Sequence, residues 1–75
     1  MAADVLRGLM VTADGGMRVH QVSLDGQPRI RIEARGRGNR QDGSWGAVWH
    51  HIADVTHPQE VARHLDVSEL RATGT

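Results

Sequence analysis

The sequence predicts an α+β fold: an antiparallel meander of three to four strands packed against one C-terminal helix. Three observations predict it. Residues 29–35 alternate strictly, with Ile30, Ile32 and Ala34 in one phase and Arg29, Arg31, Glu33 and Arg35 in the other. Asp25 and Gly26 stand between two β-like runs, a dipeptide favoured by two-residue hairpins. Thr56, Pro58 and Gln59 precede Val61, Ala62 and Leu65, the pattern of a capped amphipathic helix. The 75 residues make one domain. It divides into an N-terminal segment at 1–12, a meander at 17–53 carrying a mobile arm at 36–46, and a helix at 56–70.

Taken in order, residues 4–12 have apolar groups at Val5, Leu6, Leu9 and Met10, spaced for a turn or two of helix. Gly8 and the pair Val11 and Thr12 fit a strand equally well. Residues 13–16 form a turn around Gly15 and Gly16. Residues 17–24 read as a strand. Met17 and Val19 share one phase, Val22 and Leu24 the other, and this slip predicts a bulge near His20 and Gln21. After the strand at 29–35, residues 36–46 hold four glycines among polar side chains, which predicts an unpacked, mobile hairpin arm. A strand at 47–53 returns to pair with 29–35. Its inward set is either Val48 and Ile52 or Ala47, Trp49 and Ala53, and Trp49 is expected in the core. The helix then starts at Thr56, with Gln59 completing its capping box, and either frays after Leu65 or continues through Ser68, Glu69 and Leu70, ending before Gly74.

A core built from this chain is small. There is no Cys, Phe or Tyr, so neither disulfides nor thiolate zinc ligands support it. A domain of this size buries only about 60% of its unfolded surface. A symmetric homodimer would add burial; a weakly stable monomer is the alternative. The chain has no run of 18 apolar residues and no cationic-then-apolar leader, which predicts a cytoplasmic protein.

Formal net charge is zero, but it is unevenly spread. Residues 18–40 hold six Arg against Asp25 and Glu33, whereas residues from 54 onward hold four carboxylates against Arg63 and Arg71. All nine basic residues are Arg. Guanidinium suits phosphate and guanine contacts, and an Arg-rich, Lys-free chain is also what a high-GC bacterial genome writes. The basic strand and arm therefore nominate a contact surface of Arg29, Arg31, Arg35, Arg37, Asn39, Arg40, Gln41 and Trp45. A two-stranded ribbon fits the B-DNA major groove, and Trp45 is placed to stack on a base or pack against sugar. The expected partner is double-stranded DNA, the expected role a small DNA-binding regulator. The alternative is a non-catalytic docking or inhibitor-type protein that uses the same Arg and Trp side chains as interface anchors.

The alternating Arg of 29–35, and Val48 and Trp49 followed by Thr56, Glu60 and Ala62, resemble the AP2-type and integrase arm-binding modules over about residues 17–66. That resemblance implies a three-stranded sheet reading DNA with a helix bracing its back. The Trp expected within the middle strand of such modules is absent here. Glu60, Val61, Ala62, His64, Leu65, Asp66 and Leu70 also resemble the C-terminal segment of small actinobacterial proteins, a likeness that implies no function.

Other chemistries find little support. Residues 59–68 imitate the first half of a helix-turn-helix, but Asp66 replaces the turn glycine and only seven residues follow Ser68. Of the five His, adjacent His50 and His51 point to opposite faces of a strand, and His57 and His64 are two helical turns apart. No metal or cofactor is expected. No nucleophile elbow, Walker loop or dinucleotide fingerprint occurs, so the chain is not expected to be an enzyme.

Overall fold

The computed structural model describes residues 9–72. They form a five-stranded antiparallel sheet. Its strands are β1 (Met10–Thr12), β2 (Met17–Leu24), β3 (Gln27–Asn39), β4 (Trp45–Val55) and β5 (Leu70–Ala72), ordered β4-β3-β2-β1-β5. Of the segment left open between helix and strand, residues 10–12 are strand, and residues 4–8 lie outside the described residues.

Local chemistry builds the turns. Asp25 (φ 52°) and Gly26 (φ 78°) join β2 to β3 as a two-residue loop with both φ positive, the primed geometry that matches strand twist. Between β1 and β2, Asp14 Oδ1 accepts from Thr12 Oγ1 (2.7 Å) and from the Gly16 amide (2.8 Å). The buried Thr12 hydroxyl in turn accepts from the Met17 amide at 3.0 Å.

The expected C-terminal helix does not form. Residues 58–63 and 67–69 are two short 3-10 turns, and Leu70–Ala72 become a fifth strand paired with β1. Glu60, rather than Gln59, caps the first turn by accepting the amides of Thr56 (3.1 Å) and His57 (3.0 Å), an arrangement that starts a helix. Two causes then stop it. Asp66 Oδ1 accepts from the Ser68 amide (3.0 Å) and hydroxyl (2.7 Å), a local side-chain closure that competes with helical bonding. A helix this short has little stability of its own, so tertiary contacts decide, and pairing with β1 claims Leu70 to Ala72.

The result is a strap, residues 56–69, that crosses one face of the sheet from β4 to β1. Val61 seals the core under it with Val19, Ile30, Ile32 and Leu70, while Met10, Met17, Val55, Leu65 and Val67 pack at the margin. Full burial of an aliphatic side chain contributes roughly 1.5–3 kcal/mol, and three fully buried and two nearly buried ones make a small core.

Two further expectations change. The β2–β3 register is unbroken from Met17↔Ala34 to Leu24↔Gln27, so no bulge sits at His20 and Gln21; Val22 and Leu24 lie on the face away from the core. The irregularity is in β4, where Ile32 pairs with Ala53 but Glu33 with His51, leaving Ile52 as the extra, exposed residue. That slip puts Val48 and His50 before it, and Ala53 and Val55 after it, on the core-side face. Of residues 36–46, expected as a mobile hairpin arm outside the strands, 36–39 and 45–46 are strand. The β3–β4 ladder runs through Arg35↔Trp49, Gly36↔Val48, Arg37↔Ala47 and Gly38↔Gly46 to Asn39↔Trp45. Since β2 pairs β3 only as far as Ala34, these five pairs project as a two-stranded ribbon.

Candidate functional site

The face opposite the strap is assembled by the register. Arg18 on β2 lies beside Glu33 on β3, which lies beside His51 on β4; His20, Arg31 and Asp54 form the next row. Along the ribbon the same face continues with Arg35 and Trp49, Arg37 and Ala47, and Asn39 and Trp45.

In the two inner rows the cations are paired. Arg31 Nε and Nη2 donate to the two Asp54 oxygens at 2.8 and 3.2 Å, and His51 Nε2 lies 3.0 Å from Asp54 Oδ2. Arg18 Nε donates to Glu33 Oε1 at 2.7 Å, with His20 Nε2 2.8 Å from the same oxygen. The Arg31 hydrogen bonds hold the Asp54 carboxyl below the usual carboxylate range, against partial burial, with His51 assisting. For Glu33 burial is the strongest single influence and opposes ionisation, but the combined hydrogen bonds and charges of Arg18 and His20 outweigh it and lower its pKa.

Trp49 belongs to this face and not to the core. The Arg18 guanidinium carbon sits 4.4 Å from its ring centroid and that of Arg35 5.9 Å, so two cations cover the indole. The core place expected for Trp49 is closed because the bulge at Ile52 puts Val48 and His50 in the opposite phase.

On the ribbon the chemistry is different. Arg35, Arg37 and Asn39 are exposed, Trp45 is 64% exposed, and neither ribbon strand carries a carboxylate. Asp42, in the loop, is occupied by the Ser44 hydroxyl (2.6 Å) and amide (2.9 Å), which lower its pKa. Behind the ribbon, the His50 ring lies over Gly36 and its Nε2 reaches the Arg37 carbonyl at 3.2 Å; any Cβ at Gly36 would meet that ring. The Arg40 guanidinium packs in the same way on Gly46. An open concavity of about 620 Å³ lies between Arg18, Glu33 and Trp49 on one side and Asn39, Arg40 and Gln41 on the other.

The structure thus brings Arg29, Arg31, Arg35, Arg37, Asn39 and Trp45 onto one face, with Arg40 and Gln41 in the loop at its end. Four of these are engaged locally: Arg31 by Asp54, Arg29 by its own neighbour's carbonyl, Pro28 O at 2.7 Å, Arg35 over the Trp49 ring and Arg40 against Gly46. Arg18, His20, His51 and Asp54 belong to the same surface and were not singled out from sequence. The signal was present for Arg18 and His20. A two-residue loop at 25–26 obliges residue 18 to face 33 and residue 20 to face 31. Among the described residues no group of three or more His, Asp and Glu is arranged to hold a metal ion. No helix there is long and apolar enough to cross a membrane.

No family model, no curated protein and no solved structure matches this chain. The back of the sheet, where AP2-type modules would carry a helix, is crossed by the strap of 3-10 turns instead.

Proposed function

We propose that this chain is a small DNA-binding regulator that grips duplex DNA with its β3–β4 ribbon. The observation that carries this reading is the ribbon itself. Arg35, Arg37, Asn39 and Trp45 share one exposed face, free of carboxylates, on an element that extends past the core. A two-stranded ribbon has the width of the major groove, and guanidinium groups meet phosphates and guanine edges there. Zero net charge fits a local grip rather than nonspecific coating of the polyanion. The inner rows, with Arg18 and Arg31 held by carboxylates, support the ribbon and orient it. A DNA target also carries a cytoplasmic location with it, since bacterial DNA lies there.

Fluorescence anisotropy with a mixed-sequence duplex at about 50 and 200 mM salt tests the reading, because multi-phosphate binders weaken steeply over that range. Steep loss of affinity with salt is expected. Absence of binding at the lower salt would overturn it.

A second reading, docking on a protein, draws on one observation: beyond β2, both outer edges of the ribbon pair with no strand among the described residues. Edge addition of a partner strand would use them. In that case a partner anchored by Trp45 is lost on Trp45→Ala, while replacing Arg35, Arg37 and Arg40 by Glu has the smaller effect.

A further inference from the structure

The two tryptophans of the chain are in opposite states. Trp49 is half-buried, with the guanidinium groups of Arg18 and Arg35 over its indole. Trp45, two positions further out on the same face of β4, is 64% exposed, and among the described residues no cation or ring packs on its indole. Directly across the ladder stands Asn39, and one same-face step back along β3 stands Arg37. Both are exposed and neither side chain is bonded to another.

A bare indole at the tip of a cationic ribbon is suited to one kind of group: a flat, apolar, π-rich one attached to an anion. In a perfect duplex the faces of the bases are occupied by their neighbours, and Trp45 would meet only edges, sugar and phosphate. A base outside the stack offers its whole face. Arg37 lies roughly 7 Å from the Asn39–Trp45 rung along the strand, the separation between a base and its own phosphate. Asn39, with a carboxamide that both donates and accepts, faces the edge of a base resting on Trp45.

We propose that the ribbon tip is a single-nucleotide site for an unpaired base, with Trp45 as the stacking platform, Arg37 on the phosphate and Asn39 at the base edge. The inference rests on the DNA reading above and narrows it: the preferred target is duplex DNA interrupted by an extrahelical base. The ribbon arginines supply the salt-sensitive grip on the flanking duplex, and Trp45 supplies the preference.

The test compares two fluorescein-labelled duplexes of identical sequence, one perfect and one with a single bulged thymine, by anisotropy at about 50 mM salt with the full chain. Stacking of one base on an aromatic side chain is large enough to raise affinity about fivefold or more. The bulged duplex should bind tighter by that factor, and it should quench tryptophan fluorescence more than the perfect duplex does. Trp45→Ala should erase the difference between the two duplexes, and Trp45→Phe should keep part of it. Circular dichroism melting checks that both variants fold. Equal affinity for the two duplexes, or a preference that survives Trp45→Ala, overturns the inference and leaves the DNA reading standing. Failure to bind either duplex overturns both.

Discussion

One pair of strands, β3 and β4, runs through two regions built on different terms. In the base of the sheet, Ile30 and Ile32 face a strap that buries them with Val61, and the opposite face is filled by carboxylates that neutralise Arg18 and Arg31. In the ribbon no strap follows. The core-side positions of the same two strands become Gly36, Gly38, Gly46 and Val48, with His50 folding back over Gly36 and Arg40 over Gly46. On the other face the ribbon keeps its arginines and drops the carboxylates. The base therefore carries the stability and the ribbon the unpaired chemistry, a division that lets contact residues change without unfolding the sheet.

The sharpest way to break that comparison is to cut the two regions alike. Ile32→Ala, fully buried, should cost about 2–5 kcal/mol, a large share of the stability of so small a domain. Val48→Ala in the ribbon should cost well under half as much, since Val48 is half-buried and lies outside the core cluster under the strap. Urea unfolding followed by circular dichroism measures both, and equal losses would show that the ribbon shares in the core.

Function should respond in the reverse order. Replacing Arg35, Arg37 and Arg40 together by Glu should abolish salt-sensitive duplex binding while moving the melting temperature by only a few degrees. None of the three is ion-paired among the described residues. Anisotropy and a thermal melt on the same sample read the two quantities. A collapse of the fold would place these arginines among the supports of the sheet.

Acid should weaken the base of the sheet. Glu33 and Asp54 are held below their ordinary values of 4.5 and 3.8. A carboxylate whose folded pKa is lowered contributes stability that is fully present above its unfolded pKa and is lost as pH falls through the folded one. The melting temperature should therefore be level with respect to these two groups above about pH 5 and fall progressively below pH 4, with the double variant Glu33→Gln, Asp54→Asn flattening that limb. An unchanged limb in the double variant would mean that other carboxylates dominate the acid response. The smallest effect belongs to Trp45. Its truncation to Ala should leave stability within about 0.5 kcal/mol, as for an exposed site, and a larger loss would tie the ribbon tip into the fold.

Much of the sheet was legible in the sequence because it depends on near neighbours. The alternation from Arg29 to Arg35 has one solution in a half-buried strand, and Asp25 with Gly26 sets both the turn and, through it, the register of Arg18 and His20. The outward phase of Arg35 was legible in the same way, whereas Arg37, Asn39 and Trp45 were read as part of the arm, and it is the β3–β4 ladder that sets them on the same face. The helix was misread because Val61 and Leu65 satisfy helical spacing and also suit a strap laid on a sheet. Only the hydrogen bonds of Asp66 and the demand of β1 for a partner separate the two. Residues 36–46 were misread for a related reason. Their composition argues against a core, and they have none, yet two strands can hold one another by ladder bonds alone once the base has aligned them.

The sequence by itself determined the alternating β3 strand, the hairpin at Asp25 and Gly26, the small cysteine-free core and the concentration of arginine in the middle of the chain. These are set by side-chain chemistry within a few residues. Tertiary structure decided the rest: Leu70–Ala72 as a strand, the strap in place of a helix, the bulge at Ile52, and with it the presence of Trp49 beneath two arginines while Trp45 stands uncovered. Each depends on which residue, distant in the chain, arrives opposite, and local spacing carries no record of that.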